Sequence, residues 1–182
     1  MKKTLITIVL TLAVIVAGFF IYIYSGAYNI SQLSPHNSLT KSIIGITTHH
    51  SIEKRLKDIV VPANITDTAV IVRGFKHYNE MCIGCHNAPD LPANKFVEGW
   101  YPKPPEIYKF VKEDDAREFF WITKYGIKMT SMPAFQPTVD DTKLWEVTAF
   151  VTQKLGKMKP GEYHKWVEKY TAVNKTDSTK HE

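Results

Sequence analysis

Cysteine is nearly absent from this chain: its 182 residues contain two, Cys82 and Cys85. With no third thiol there is no zinc ribbon, which needs four soft ligands. No run of strands flanks the pair, so the βαβ setting of a thioredoxin-type dithiol is missing too. Internal repeats and low-complexity segments are also lacking. Charge of one sign is not concentrated anywhere. The formal net charge is +5, of which Lys2 and Lys3 at the extreme amino terminus supply two, leaving +3 for the rest. Basic residues there are interleaved with acids, which excludes the clustered basic footprint of a nucleic-acid binder. Long apolar runs are scarce as well, with a single exception.

That exception is Thr4 to Tyr24, an uncharged stretch of 21 residues. At the helical rise it spans about 31 Å, the thickness of a bilayer's hydrocarbon core. The lysines precede it, and Tyr22 and Tyr24 stand at its far end, where an aromatic belt is expected, so the amino terminus should remain cytoplasmic and all that follows should be exported. Ser25-Gly26-Ala27 resembles a small-residue cleavage site. The run, however, is longer than the usual signal-peptide core of about 7–15 residues, and an uncleaved, single-pass anchor is the expectation. We divide the chain into an anchor (1–27, a signal peptide if cleaved), a connector (28–66), a principal domain (67–156) and a polar carboxyl-terminal tail (157–182). The last ten or so residues of that tail are expected to be disordered.

The two cysteines stand in Cys82-Ile83-Gly84-Cys85-His86. On a helical turn this spacing aims two thiols and an imidazole in one direction. C-x-x-C-H is the attachment pattern for c-type haem: both thiols become thioethers and the histidine binds iron from one side. Both cysteines are then consumed, leaving none for a disulfide.

Around this turn the periodicity predicts helices and little else. In the connector, Ile52, Leu56 and Ile59 predict a short amphipathic helix from Ser51 to about Ile59, stopped before Pro62, lying on a membrane surface, a partner or its own domain. His49 and His50 are neighbours whose side chains diverge by about 100° on a helix, with no cysteine near, and are not expected to hold a metal. Asp67 or Thr66 can cap a helix running from Thr68 into the attachment turn, with Val72, Phe75 and Tyr78 or Asn79 on one face. Gly74 on that helix permits another to approach closely. The approaching helix should be the last one, opened by a capping box at Thr138-Val139-Asp140-Asp141, striped by Leu144, Val147, Val151 and Leu155, and closed by Gly156. Between them, prolines at 89, 92, 102, 104 and 105 predict an ordered loop, and a further helix runs from Asp114 or Asp115 to Gly126.

Iron held by one histidine keeps a sixth position to be filled. Met132 is the candidate, on a loop that Pro133 stiffens; Met129 is the alternative three residues earlier. Met81 and Met158 are not expected to reach, and a distal His36, His49 or His50 would give a bis-histidine centre instead.

Residues from about Asp67 to Gly156 resemble a class I cytochrome c. The likeness rests on Gly74 and Tyr78 ahead of the CIGCH turn, the methionine loop from Gly126 to Phe135 and the final W-E-V-T-A-F-V helix. With the apolar run, the chain is similar to membrane-anchored bacterial monohaem cytochromes c. The resemblance implies an all-α class I cytochrome c fold behind one transmembrane helix. It implies a single covalent haem c on Cys82 and Cys85, with His86 and Met132 as iron ligands. A proline-loop carbonyl, Pro104 or else Pro105, should accept the His86 Nδ1 proton. No catalytic residue is expected, and the chain is read as an electron-transfer protein rather than an enzyme. It would sit on the outer face of the bacterial cytoplasmic membrane as a carrier or as the haem subunit of a respiratory complex. Its partners would be the membrane and redox proteins, dehydrogenase and/or oxidase or reductase subunits, with Lys95, Lys103, Lys109, Lys124 and Lys128 as a possible frame for the haem edge. The alternative is a sensor or catalyst for CO or NO, which requires Met132 to leave the iron.

Overall fold

The computed structural model describes residues 1–171, which divide into two compact units, 1–35 and the chain from His36 onward. The last part of the tail, where disorder is expected, lies outside the described residues. The first unit is essentially one helix, α1 (Lys2–Tyr24), long and apolar enough to cross a membrane, with every side chain exposed. Ser25 closes it by donating its hydroxyl to the Tyr22 carbonyl (2.7 Å), and Gly26 at φ +69° turns the chain away.

The second unit is helical, with no strand among the described residues. It contains α2 (Ser38–Glu53), α3 (Thr68–Met81), the single turn α4 (Ile83–His86), α5 (Ala116–Tyr125), α6 (Asp141–Gln153) and α7 (Glu162–Thr171). Helix α2 lies earlier than the periodicity of Ile52, Leu56 and Ile59 predicts. Asn37 starts it, its side chain accepting the Thr40 N–H at 2.9 Å. Arg55 ends it: its guanidinium takes the Ser51 carbonyl (2.6 Å), and its own N–H turns back to Ile52 (2.7 Å). That withdraws the acceptor on which the next helical bond depends.

Helix α3 begins at Asp67 without a side-chain cap and buries Val70, Gly74, Phe75 and Tyr78 along one face. Helix α6 is capped by Asp140 rather than Thr138; the Asp140 carboxylate accepts the Lys143 N–H at 3.0 Å. The Thr138 N–H is already committed to the Phe135 carbonyl in a turn. Nor does Gly156 close α6, which ends at Gln153. The glycine sits in the following 3₁₀ turn, where a Cβ would come within 3.1 Å of Val111.

Helices α3 and α6 cross at Gly74, where the glycine predicts close approach. A Cβ on Gly74 would lie 1.8 Å from the Glu146 carbonyl oxygen and 3.0 Å from the Phe150 Cβ, so the two backbones touch. Beside the crossing the buried Glu146 carboxylate meets Arg73 and, at 3.2 Å, His77. Beneath it Phe75 and Phe150 pack edge to face, with ring centroids 5.4 Å apart. The segment read as a polar tail contributes to this core. Its helix α7 sets Tyr163 and Trp166 edge-on against Phe75, each at 5.4 Å, and the Tyr163 hydroxyl donates to Asn79 (3.1 Å). Helix α5 leans on α6 through the stacked Phe120 and Trp145 rings, 4.0 Å apart, and the Lys124–Asp141 ion pair.

Replacing Gly74 with alanine inserts a methyl group where a peptide oxygen stands. Overpacked cores lose about 1–3 kcal/mol, and a backbone collision belongs at the upper end. Guanidinium denaturation should therefore show Gly74→Ala destabilised by about 3 kcal/mol.

Candidate functional site: an apolar cavity facing the Cys-x-x-Cys-His turn

Helix α3 ends at Cys82 and the chain makes one further helical turn. The N–H groups of Cys85 and His86 donate to the Cys82 carbonyl at 3.1 and 2.9 Å. Asn87 then stops it in the left-handed region, at φ +58°. This turn forms one wall of a cavity of about 480 Å³, which Cys82, Cys85 and His86 all line. The proline loop, α5 and the Gly126–Phe135 segment supply the remaining walls, almost wholly through apolar side chains such as Ile107, Phe119 and Ile122.

The ring of His86 is oriented from outside. Its Nδ1–H donates to the carbonyl of Pro105 at 2.8 Å. Pro105, not Pro104, is thus the acceptor. A run of prolines offers carbonyls without returning amide protons, which leaves one available for such a ring. With the proton fixed on Nδ1, Nε2 keeps its lone pair. Burial also holds the His86 pKa below its ordinary value, with the Pro105 bond opposing, so the neutral imidazole is favoured. Burial pushes the Cys82 thiol up to about 12, reinforced by Cys85. Both cysteines are free thiols.

Tyr78, one of the residues that carry the resemblance, and Asn87, which sequence reasoning passed over, hold this wall in place. The Tyr78 hydroxyl donates to the Asn87 carbonyl at 2.6 Å in a fully buried contact. The Asn87 side chain in turn donates to the Leu91 carbonyl (3.3 Å) and the Glu106 carboxylate (3.2 Å), tying the turn to both ends of the proline loop. Lys109, with help from Asn87, keeps Glu106 below the usual carboxylate range. The available signal was an asparagine directly after a helix end, a position that favours the left-handed conformation. Asn94 adds a bond from the loop to the Gly84 carbonyl.

The methionine loop closes on Gly126, whose φ is +66°. A Cβ there would fall 2.7 Å from the Pro133 carbonyl carbon and 2.8 Å from the Met132 oxygen. The Ile127 N–H donates to the Met132 carbonyl, and the Met132 N–H donates to the Thr130 hydroxyl. Met132 lines the cavity. Met129, at φ +60° and 90% exposed, does not. Met81 borders the cavity next to Cys82, and Met158 is buried in the core. His36, His49 and His50 do not line it. Of the five lysines, Lys103 stands at the rim, Lys109 pairs with Glu106, and Lys124 turns away to Asp141.

Two thiols, one imidazole nitrogen with its lone pair kept, and the thioethers of Met132 and Met81 border a single apolar cavity, a donor set that fits a haem. Tyr78→Phe would leave the Asn87 carbonyl buried and unpaired, at a cost of about 1–3 kcal/mol. Chemical denaturation of the holoprotein measures that loss, with the haem absorption bands expected to stay in position.

Comparison with known proteins gives one match. Residues 69–151 match the family described as cytochrome C oxidase, cbb3-type, subunit III. No curated protein and no solved structure matches the chain. The matched stretch runs from the first turn of α3, through the C-x-x-C-H turn and the methionine loop, into α6, so that every wall of the cavity falls within it. The part of this chain that surrounds the cavity is therefore a cytochrome c domain, a haem-binding electron-transfer module, carried behind an apolar amino-terminal helix.

Proposed function

We propose that the chain transfers single electrons through one covalently attached haem, ligated by His86 and Met132, on the outer face of the bacterial cytoplasmic membrane. The observation that carries this reading is that His86 and Met132 border one apolar cavity while Met129 points into solvent. Cys82 and Cys85 are the thioether sites. Bound there, the haem supplies a one-electron iron couple, and a thioether ligand favours a higher potential than a second imidazole would. The chain's own residues fix the rest. Pro105 holds the His86 ring, Asn87 and Tyr78 hold the turn that carries it, and Gly126 with Thr130 holds the methionine. The apolar walls exclude water, and with His86 and Met132 both holding the iron no substrate would need to reach the metal, in keeping with a role as a carrier rather than an enzyme.

In this reading residues 1–27 anchor the protein, 28–66 connect and 67–156 carry the haem. Lys2 and Lys3 ahead of α1 favour a cytoplasmic amino terminus, which exports the haem domain. The length of α1 favours retention over cleavage at Ser25-Gly26-Ala27. The family's description names an oxidase subunit, which supports a place as the haem subunit of a respiratory complex alongside redox partners. Sensing or converting CO or NO is the competing role, and it needs an open iron.

Carbon monoxide separates the two. The reduced wild-type protein should bind no CO on mixing, and Met132→Ala should bind it stoichiometrically. The oxidised wild type should also show the weak far-red band of methionine-to-iron(III) charge transfer, absent in the variant. Prompt, stoichiometric CO binding by the wild type would overturn the carrier reading.

His86→Ala removes the nitrogen ligand, and the variant should accumulate without a haem absorption spectrum. The mass of the wild-type polypeptide should exceed its sequence mass by one haem.

A further inference from the structure

Away from the haem cavity, the last turn of α2 brings together two imidazoles and a carboxylate that the electron-transfer reading does not use. His49 Nε2 lies 3.4 Å from Glu53 Oε1, and His50 Nδ1 lies 3.2 Å from Glu53 Oε2. One ligand atom from each of the three side chains falls within 4.8 Å of the others. Consecutive histidines on a helix diverge by about 100° and do not chelate by themselves. Glu53 changes that, because it stands three residues from one and four from the other, over the gap between them. The two rings approach to 5.4 Å between centroids.

We propose that His49, His50 and Glu53 form a binding site for a divalent transition-metal ion of the zinc type. A zinc ion sits about 2.0–2.2 Å from nitrogen and oxygen donors, which places neighbouring donors roughly 3–3.5 Å apart. The two histidine–glutamate contacts already have that spacing, and a rotation of one ring brings in the third. The donor types select the ion. Two imidazole nitrogens with one carboxylate suit zinc, copper or nickel. Calcium and magnesium require shells built from oxygen.

The electrostatic setting favours a cation as well. The carbonyl end of a helix carries partial negative charge, and the cluster occupies the final turn of α2, directly before Lys54 at the cap. The nearby guanidinium of Arg55 is directed at the Ser51 carbonyl and hydroxyl rather than at Glu53. The three side chains are 63%, 71% and 54% exposed, so the ion enters from solvent and water completes its shell. A bound ion would staple the end of α2 just where the chain turns into the Lys54–Val60 segment that borders a cleft with α5 and α6.

The test uses the full-length, haem-loaded protein without an affinity tag, in detergent, titrated with zinc chloride by calorimetry and in competition with a chromophoric chelator. One equivalent should bind tightly. His49→Ala, His50→Ala and Glu53→Gln should each weaken it at least about tenfold, since even residues behind the ligands of a metal site cost 10–100-fold when lost. His164→Ala, at an exposed position on α7, should leave it unchanged. Cobalt substituted for zinc should give visible d–d absorption that the three variants lose. No binding, or binding of the same strength in all three variants, would overturn the proposal. The three residues are exposed, and an unaltered haem spectrum in each variant verifies that the fold is kept.

Discussion

The contact between Gly74 and the Glu146 carbonyl is the constraint on which the remainder of the domain depends. It removes the side-chain layer that ordinarily separates two helices and brings α3 onto the backbone of α6. Because α3 runs straight into Cys82, fixing its position on α6 also fixes where the C-x-x-C-H turn begins. The carboxylate of Glu146 strengthens the same point from the other side, held by Arg73 and His77 of α3. A buried carboxylate is costly unless it is paired. Here the pairing partners come from the helix that must be kept in register, so the charge acts as a pin for the crossing.

From that crossing outward, the site is built by groups whose bonding capacity has no use within regular structure. The proline loop cannot form a ladder, and its spare carbonyl at Pro105 orients His86. Asn87 cannot continue the helix, and its buried carbonyl and side-chain amide become the anchor for Tyr78 and Glu106. Gly126 stands where any Cβ would collide with the Met132–Pro133 backbone, and the loop it permits presents Met132 to the cavity while Met129 stays exposed. In each case an interruption of helix does the positioning. Rigidity around the cavity also suits electron transfer, for which the surroundings should change little between two charge states.

The helices were legible from sequence wherever an amphipathic face was strong. Helix α3 and the Gly126 end of α5 fall where periodicity and the glycine put them. The start of α6 was displaced by two residues because Thr138 and Asp140 are both competent caps and only the turn at Phe135 decides between them. The isoleucines at 52 and 59 mimic a continuing stripe and predict a later helix than α2, whereas Arg55 takes the acceptor needed to extend it. The polar composition of α7 predicts a tail instead of a packed helix. Its aromatics, Tyr163, Trp166 and Tyr170, have meaning only against Phe75, 91 residues away from Trp166 in the chain.

Local chemistry was determined by the sequence alone: a C-x-x-C-H turn, an apolar helix of bilayer length, a methionine before proline and a glycine marked for close approach are each defined by covalent identity and spacing. The tertiary structure decided between equivalents. Which proline carbonyl meets His86, which methionine faces the cavity, which lysines are spent in ion pairs and which aromatic partners fill the core depend on distances between segments far apart in the chain. Spacing along a sequence carries no information about those distances until the helices have crossed.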